Sequence, residues 1–364
     1  MHRRILLLIT DLKIGGTPTV VRELAIRLND PPSARVDVAC LSPRGPVADQ
    51  LEAAGVRVFP LNAKGATDFA AIFRLGHLIR AEQYDTVFSF LIHANAAAAA
   101  IAPFCKTARF LQSIQTTQPY PRWHWAAQSI AQHAADRIVV PSPSVAIAAQ
   151  QWADIPSDKI SIVSNAIDLE DFACVPQIAA SQFGTSPIPI GFIGRLDPIK
   201  RIPDLLYATR ILKGRVHLHL FGEGSERPAI EKLIATLGLS KMVTLHGSVA
   251  QPQDALRQIA MLVLPSDAEG FGLVLIEAMA AGIPVIGTNA PGIRDVIVQN
   301  RTGLLVPARA PDALASAIAK LLNNPVLQDQ FIAAATQDIR RRFAWPAVIP
   351  QYRALLELNG PQHP

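Results

Sequence analysis

The sequence predicts an α/β protein of two Rossmann-like, doubly wound domains, each a parallel sheet covered by helices on both faces. Three observations carry that expectation. Short apolar, strand-like runs alternate with helical patterns along nearly the whole chain. The alternation restarts after residues 172–189, a stretch with three prolines and no apolar period. The chain's 364 residues, 50% hydrophobic and 17% charged, suffice for two cores of ordinary size.

In the first half, strands are expected at residues 5–9, 36–41, 56–61, 86–90, 110–114 and 138–141. These short apolar runs suit parallel strands buried on both faces. Helices are expected between them at 19–28, 47–54, 70–81, 95–102 and 123–135. In the second half, strands are expected at 188–193, 216–221, 243–245, 262–264 and 285–287. Its helices are expected at 201–212, 227–237, 253–259, 273–281 and 312–323. A last helix, 345–358, follows the cluster Arg340-Arg341-Arg342-Phe343. The domains are placed at residues 1–175 and 185–344. Each half opens on a strand that runs into a glycine turn, Gly15-Gly16 in the first and Gly194-Arg195 in the second. Doubly wound sheets bind ligands at the carboxyl ends of their strands, so two such domains facing each other would share a cleft.

Composition narrows the class. Three widely spaced cysteines, Cys40, Cys105 and Cys174, form no metal-binding or disulfide pattern and fit a reducing, cytoplasmic setting. The apolar run after Arg3-Arg4 is too short for a signal segment, and Asp11 and Lys13 follow it at once. No uncharged apolar run reaches the length of a membrane span. A net charge of +5 fits an anionic substrate, an anionic membrane surface, or plain solubility.

The chemistry concentrates in residues 262–289. A strand leads into a glycine-bearing loop, then an apolar helix that ends at Gly282. Two carboxylates interrupt it: Glu269 in the loop, and Glu277 flanked by Ile276, Ala278 and Met279. A lone carboxylate on an apolar helix is costly unless something pairs with it. A ribose diol is one such partner for Glu277, and a neighbouring backbone group or cation is another. The helix start at Phe271-Gly272-Leu273-Val274 presents free N–H groups suited to a phosphate.

Four further stretches follow strands or precede turns. In Gly194-Arg195-Leu196-Asp197-Pro198-Ile199-Lys200, two cations beside a glycine suit a diphosphate, and read equally as solvated charges. Phe221-Gly222-Glu223-Gly224-Ser225 lacks the third glycine of a dinucleotide fingerprint, since Arg227 stands there. Asn165 precedes an Asx-type turn or contacts a ligand. In Arg122-Trp123-His124-Trp125, tryptophan beside basic residues suits a membrane interface, or an ordinary core under a loop.

Taken together, these elements resemble the family 4 glycosyltransferases. The pair Glu269 and Glu277, with Gly270-Phe271-Gly272 after the first and Ala278-Met279 after the second, is similar to the family's signature. The other pieces fall in the family's order: Gly15-Gly16, the segment Phe88 to Asn95 with His93, Asn165-Ala166-Ile167-Asp168, Gly194-Arg195 with Lys200, Ala290-Pro291-Gly292-Ile293, and Thr302-Gly303-Leu304.

The resemblance implies a GT-B fold, two Rossmann-like domains facing across a cleft, with the final helix, 345–364, packing back on the first domain. It implies a retaining, metal-independent transfer of a sugar from a nucleotide-sugar, by preference a UDP-sugar. The acceptor is a glycan or a lipid-linked sugar of bacterial surface polysaccharide or glycolipid synthesis, and peripheral contact with the inner membrane face accompanies that reading. Catalytic roles fall to Arg195, Lys200, Glu269 and His93. The donor is expected to meet Gly15, Gly16, Asn165, Gly194, Arg195, Lys200, Gly222, Phe271, Gly272, Leu273, Val274 and Glu277. No cofactor, metal or nucleic-acid partner is expected. Two positions depart from the family pattern. Gln115 stands near the place where a histidine often faces the donor sugar, and Thr17-Pro18 follows the glycine pair. The missing histidine keeps a second reading open, a nucleotide-sugar-binding protein without transferase activity. A nicotinamide-dependent oxidoreductase is disfavoured by the incomplete glycine fingerprint.

Overall fold

The computed structural model describes residues 3–31, 33–65, 68–173, 175 and 187–357. The chain divides into two compact units, residues 1–165 with 346–364, and residues 166–345.

In the first unit, β1 (Arg3–Ile9), β2 (Ala34–Cys40), β3 (Val58–Pro60), β4 (Thr86–Phe90), β5 (Arg109–Ser113), β6 (Arg137–Val140) and β7 (Ile160–Ile162) form one parallel sheet in the order β3-β2-β1-β4-β5-β6-β7. Its helices are α1 (Gly16–Leu28), α2 (Pro46–Ala53), α3 (Phe69–Ala81), α4 (Ile92–Ile101), α5 (Arg122–Ala131) and α6 (Pro143–Ala153). The strand order reverses between β1 and β4. Right-handed crossovers therefore put α1 and α2 on one face and α3 to α6 on the other. Leu6, Leu8 and Val87 of the sheet pack against Leu75 of α3 and Ala94 of α4.

A chain of buried amides fastens α4 and α5 to this sheet. Ser89 Oγ donates to Asn95 Oδ1 at 2.8 Å, and Asn95 Nδ2 donates to the Ser113 carbonyl at 3.0 Å and to Gln128 Oε1 at 2.8 Å. Gln128 in turn donates to Gln112 Oε1, and Gln112 to the Ala131 carbonyl, both at 2.8 Å. Such a network specifies one packing only when every member is satisfied.

The second unit contains α7 (Glu170–Ala173), α8 (Ile202–Ile211), α9 (Arg227–Thr236), α10 (Pro252–Leu256), α11 (Leu273–Ala280), α12 (Ile293–Val296), α13 (Pro311–Leu322) and α14 (Pro325–Arg342). Its parallel sheet runs β10-β9-β8-β11-β12-β13. The strands are β8 (Ile188–Ile193), β9 (Val216–Phe221), β10 (Val243–Gly247), β11 (Met261–Leu264), β12 (Val285–Thr288) and β13 (Leu304–Val306). A final helix, α15 (Trp345–Leu355), belongs almost wholly to the first unit, where Tyr352 packs on Phe88 at 6.3 Å.

Several elements were not expected from the sequence: β7, β13, α6, α7, α12 and α14. The two strands have three residues each, too few to show a period. The 18-residue α14 buries only Gln328, Phe331, Ala335, Asp338 and Ile339, a stripe that includes two polar residues. The first unit also ends at Asn165, not at 175. Ile167, Phe172 and Val175 lie in the second core, and Ile167 exchanges backbone hydrogen bonds with Phe343 and Trp345. The expected linker at 172–189 falls mostly outside the described residues, as do Cys174 and the expected last residue of the final helix, Leu358.

Candidate active site

In the second unit, the carboxyl ends of β8, β9 and β11 bring together most of the residues singled out from the sequence. Gly194 follows β8 and donates its N–H to the Phe221 carbonyl at the end of β9. Gly222, with φ near +138°, lies so close that a Cβ there would sit 1.9 Å from the Gly194 carbonyl oxygen. Its requirement for glycine is thus met by a neighbouring backbone strand end.

The loop after β11 is pinned from two sides. Asp267 donates its N–H to the Ile199 carbonyl at 2.8 Å, and Glu269 donates its N–H to the Pro291 carbonyl at 3.0 Å. Gly292 lies beneath it, where a Cβ would come within 2.3 Å of the Glu269 carbonyl oxygen. This pinning sets Lys200 beside Glu269. Their Nζ and Oε1 atoms stand 2.5 Å apart, with the side chains 13% and 12% exposed. Ser266 Oγ donates to the same carboxylate oxygen at 2.7 Å. A nearly dry, charge-assisted pair of this kind is well ordered.

Two further arginines stand on the solvent side of this unit. Arg195 is 71% exposed and pairs with Asp197 at 2.9 Å. Arg309 is likewise exposed and pairs with Asp267 at 2.9 Å. Ser266, Asp267 and Arg309 were not anticipated from sequence. Arg309 lies 42 residues from its partner, in a turn with no pattern of its own.

Glu277 is a case apart. It sits in the middle of α11 among Ile276, Ala278 and Met279, which are buried. Its carboxyl has no hydrogen-bond or ion-pair partner among the described residues. Burial, acting alone, pushes its pKa up to about 7. The α11 N-terminus begins at Leu273 after Gly272, so the N–H groups of Leu273 and Val274 have no acceptor within the helix. Phe271, by contrast, is a core side chain, edge-on to Phe343 at 5.3 Å. Only its backbone is open to a ligand role.

Gly15, Gly16, His93 and Asn165 belong to the first unit. Gly15 caps α1 and Gly16 opens it. His93 lies in the first turn of α4, just after Leu91, whose φ of +73° is a region that favours glycine. The His93 ring is edge-on to Trp123 at 5.7 Å and to His124 at 5.8 Å. Burial, then the neighbouring His93, lowers the His124 pKa. Gln115 donates to Ser113 Oγ at 2.7 Å and accepts from Asn165 Nδ2 at 3.1 Å. The buried Asn165 Oδ1 has no partner among the described residues. The tryptophans of residues 122–125 separate: Trp125 is buried, donating to the Gln118 carbonyl at 2.8 Å, whereas Trp123 is half exposed. No described helix is long and apolar enough to cross a membrane.

Comparison with known proteins adds the family. The sequence model described as Glycosyltransferase Family 4 matches residues 14–171, and that described as Glycosyl transferases group 1 matches residues 177–338. The chain is 30% identical over 194 residues to the poly(ribitol-phosphate) alpha-N-acetylglucosaminyltransferase of Staphylococcus aureus (strain COL), covering 52% of this chain and 39% of that protein. It is 31% identical over 231 residues to the D-inositol 3-phosphate glycosyltransferase of Streptomyces scabiei (strain 87.22), covering 58% of this chain and 51% of that protein. The chain thus spans about half the length, or less, of these curated relatives. Among solved structures, Anabaena HepE in complex with UDP and glucose superposes with a TM-score of 0.86 at 20% identity, covering 98% of this chain and all of that one. The two parallel sheets, of seven and six strands, are those of a GT-B fold.

Proposed function

We propose, for a chain that belongs to glycosyltransferase family 4, that it transfers a sugar with retention from a UDP-sugar to a glycan or lipid-linked acceptor. The observation that carries this reading is Glu277, a carboxylate without a partner on an apolar helix whose N-terminus lies in the same unit as the Lys200–Glu269 pair. Glu277 is only partly shielded from water, but a carboxylate on an apolar helix with no partner among the described residues is still costly, and a ribose diol donating two hydrogen bonds relieves that cost. The UDP seen in Anabaena HepE, a protein of the same fold, supports the choice of donor.

In the proposed mechanism the anomeric carbon–oxygen bond of the donor breaks, the diphosphate leaves with its electron pair, and the acceptor hydroxyl oxygen bonds to that carbon on the same face, its proton passing to a departing phosphate oxygen. Lys200, Arg195 and the first N–H groups of α11 receive the developing negative charge, without a metal. Preorganised cations and dipoles at such a point are the largest single source of rate enhancement in many enzymes. Glu269 positions the Lys200 ammonium. On the acceptor side, His93 of the first unit is the candidate group to contact the incoming hydroxyl. The product belongs to bacterial surface polysaccharide or glycolipid synthesis, and the protein works in the cytoplasm at the inner membrane face.

A panel of nucleotide-sugars, assayed for released nucleoside diphosphate in the presence of glycan and polyprenyl-linked acceptors, tests the reading. Release with a UDP-sugar is expected. UDP binding without release from any donor and acceptor pair would leave a nucleotide-sugar-binding protein and overturn the transferase assignment.

A further inference from the structure

Three histidines line one face at the edge of the second unit's sheet. Along β9, Val216, Leu218 and Leu220 are buried in the core, so the alternation of a strand turns His217 and His219 to the opposite face. Both are partly exposed there. The neighbouring β10 is an edge strand. Its register against β9 shifts between Leu245 and Gly247, which makes His246 the extra residue of a bulge. A bulge re-aims the side chain it carries. His246, itself exposed, comes to rest against His219. The His219 Nδ1 and His246 Nε2 atoms stand 2.8 Å apart, with the two rings nearly parallel and 5.1 Å between centres. The buried Phe221 ring stacks on His246 at 4.2 Å. His217 is turned aside, with its Nε2 2.8 Å from Thr244 Oγ1. At 2.8 Å one of the two facing nitrogens donates and the other accepts, so their lone-pair positions converge on a single point.

We propose that His219 Nδ1 and His246 Nε2 chelate a divalent transition-metal cation of the zinc class, which replaces their hydrogen bond and clips the edge strand β10 to β9. Each neutral ring then keeps its one hydrogen on its other nitrogen, so the pair loses no proton. Zinc–nitrogen bonds of about 2.0–2.1 Å in a tetrahedral site hold two ligand nitrogens about 3.3 Å apart, so the pair needs to open by only about 0.5 Å. The exposed ring of His246 has room for that movement. Imidazole suits zinc, copper and nickel, whereas magnesium and calcium take oxygen ligands. Among the described residues no three histidine, cysteine or carboxylate side chains are arranged to hold a metal. The site is therefore a pair, with water completing the coordination. A clip of this kind binds the folded strands and not the unfolded chain, so it adds to stability. Gly222, which follows β9, donates its N–H to the Gly247 carbonyl at 2.7 Å, one residue beyond His246. The clip thus lies next to the bond that ties the glycine turn of the candidate active site to β10. The metal site itself does not depend on the transferase reading.

Calorimetric titration of the chelator-treated chain with zinc chloride tests the proposal, with melting temperatures measured in parallel. One zinc ion per chain is expected to bind. At about 100 times its dissociation constant it should raise the melting temperature by about 5 °C, and magnesium chloride should leave that temperature unchanged. His246→Ala and His219→Gln should each lower zinc affinity by about tenfold or more, since either leaves a single nitrogen. His246 is exposed, so its removal leaves the fold intact. His217→Ala is expected to keep the affinity within about threefold, because His217 stays on Thr244. His124→Ala, in the other group of facing rings, should have no effect. Absence of saturable zinc binding by the parent chain overturns the proposal, as does undiminished binding by His246→Ala. Loss of binding in His124→Ala in its place would move the metal to the first unit and overturn the assignment equally. A loss in His217→Ala as large as that in His246→Ala would overturn the two-nitrogen site in favour of three imidazoles.

Discussion

Lys200 and Glu269, 69 residues apart in sequence, meet at 2.5 Å with both side chains nearly excluded from water. The contact exists because the loop after β11 is hydrogen-bonded to the loop after β8 through Asp267 and Ile199. Breaking one half of a largely buried pair strands the other charge. Lys200→Ala or Glu269→Ala is therefore expected to destabilise the chain by about 3 kcal/mol. The double change Lys200→Met with Glu269→Gln should recover much of that loss. Urea denaturation of the three variants checks this. A double variant no more stable than the singles would show that the pair's cost lies elsewhere.

Glu277 gives the chain a pH dependence with a definite sign. Its folded pKa, about 7, lies above the ordinary value of 4.5. Below pH 4.5 both folded and unfolded states hold the proton, and its contribution is fully present. As pH rises towards 7 the unfolded chain has already released the proton, so stability falls, by about 3 kcal/mol in all, and levels off above 7. Glu277→Gln should flatten this slope and stabilise the ligand-free chain at pH 8. The same change should weaken UDP binding, because the amide is a poorer acceptor for a diol. Chemical denaturation from pH 4 to 8, with and without UDP, separates the two effects. A slope that survives the substitution would refute the assignment.

Arg195 is mostly exposed and, among the described residues, pairs with Asp197 alone, so its removal has little to disturb in the fold. Arg195→Ala is expected to leave the melting temperature unchanged and to lower kcat by about 100-fold. Unaltered turnover in this variant would remove Arg195 from the mechanism.

The backbones of Gly194 and Gly222 approach too closely for a side chain. Gly222→Ala must displace the end of β8 or β9 and is expected to cost several kcal/mol, about the upper end of single-residue effects. Thermal unfolding measures it. A neutral result would mean that the two strand ends separate freely.

Asn95 bridges Ser89, Ser113 and Gln128 in a buried network. Asn95→Ala leaves the Gln128 carbonyl oxygen and the Ser113 carbonyl without their donor, at an expected cost of about 2–3 kcal/mol. Denaturation midpoints test this, and Asn95→Asp, which keeps the size but removes the donor, should be no milder.

The sequence by itself determined the two-sheet α/β architecture. Apolar runs such as those at β1 and β8, recurring in alternation with helical patterns, point to buried parallel strands. It also marked Glu277, because a carboxylate framed by Ile276, Ala278 and Met279 violates the local pattern whatever surrounds it. Local pattern could not reveal β7 or β13, whose three residues owe their strand conformation to hydrogen bonds from β6 and β12. Nor could it assign residues 166–175 to the second unit, since that follows from where Ile167 and Phe172 find their neighbours. The pairing of Lys200 with Glu269, the arrival of Arg309 at Asp267 and the separation of Trp123 from Trp125 were decided by tertiary structure alone. Each depends on a contact between segments far apart in the chain, or on which side of a helix meets the sheet. Periodicity reports only that a face is buried, while packing selects what it is buried against.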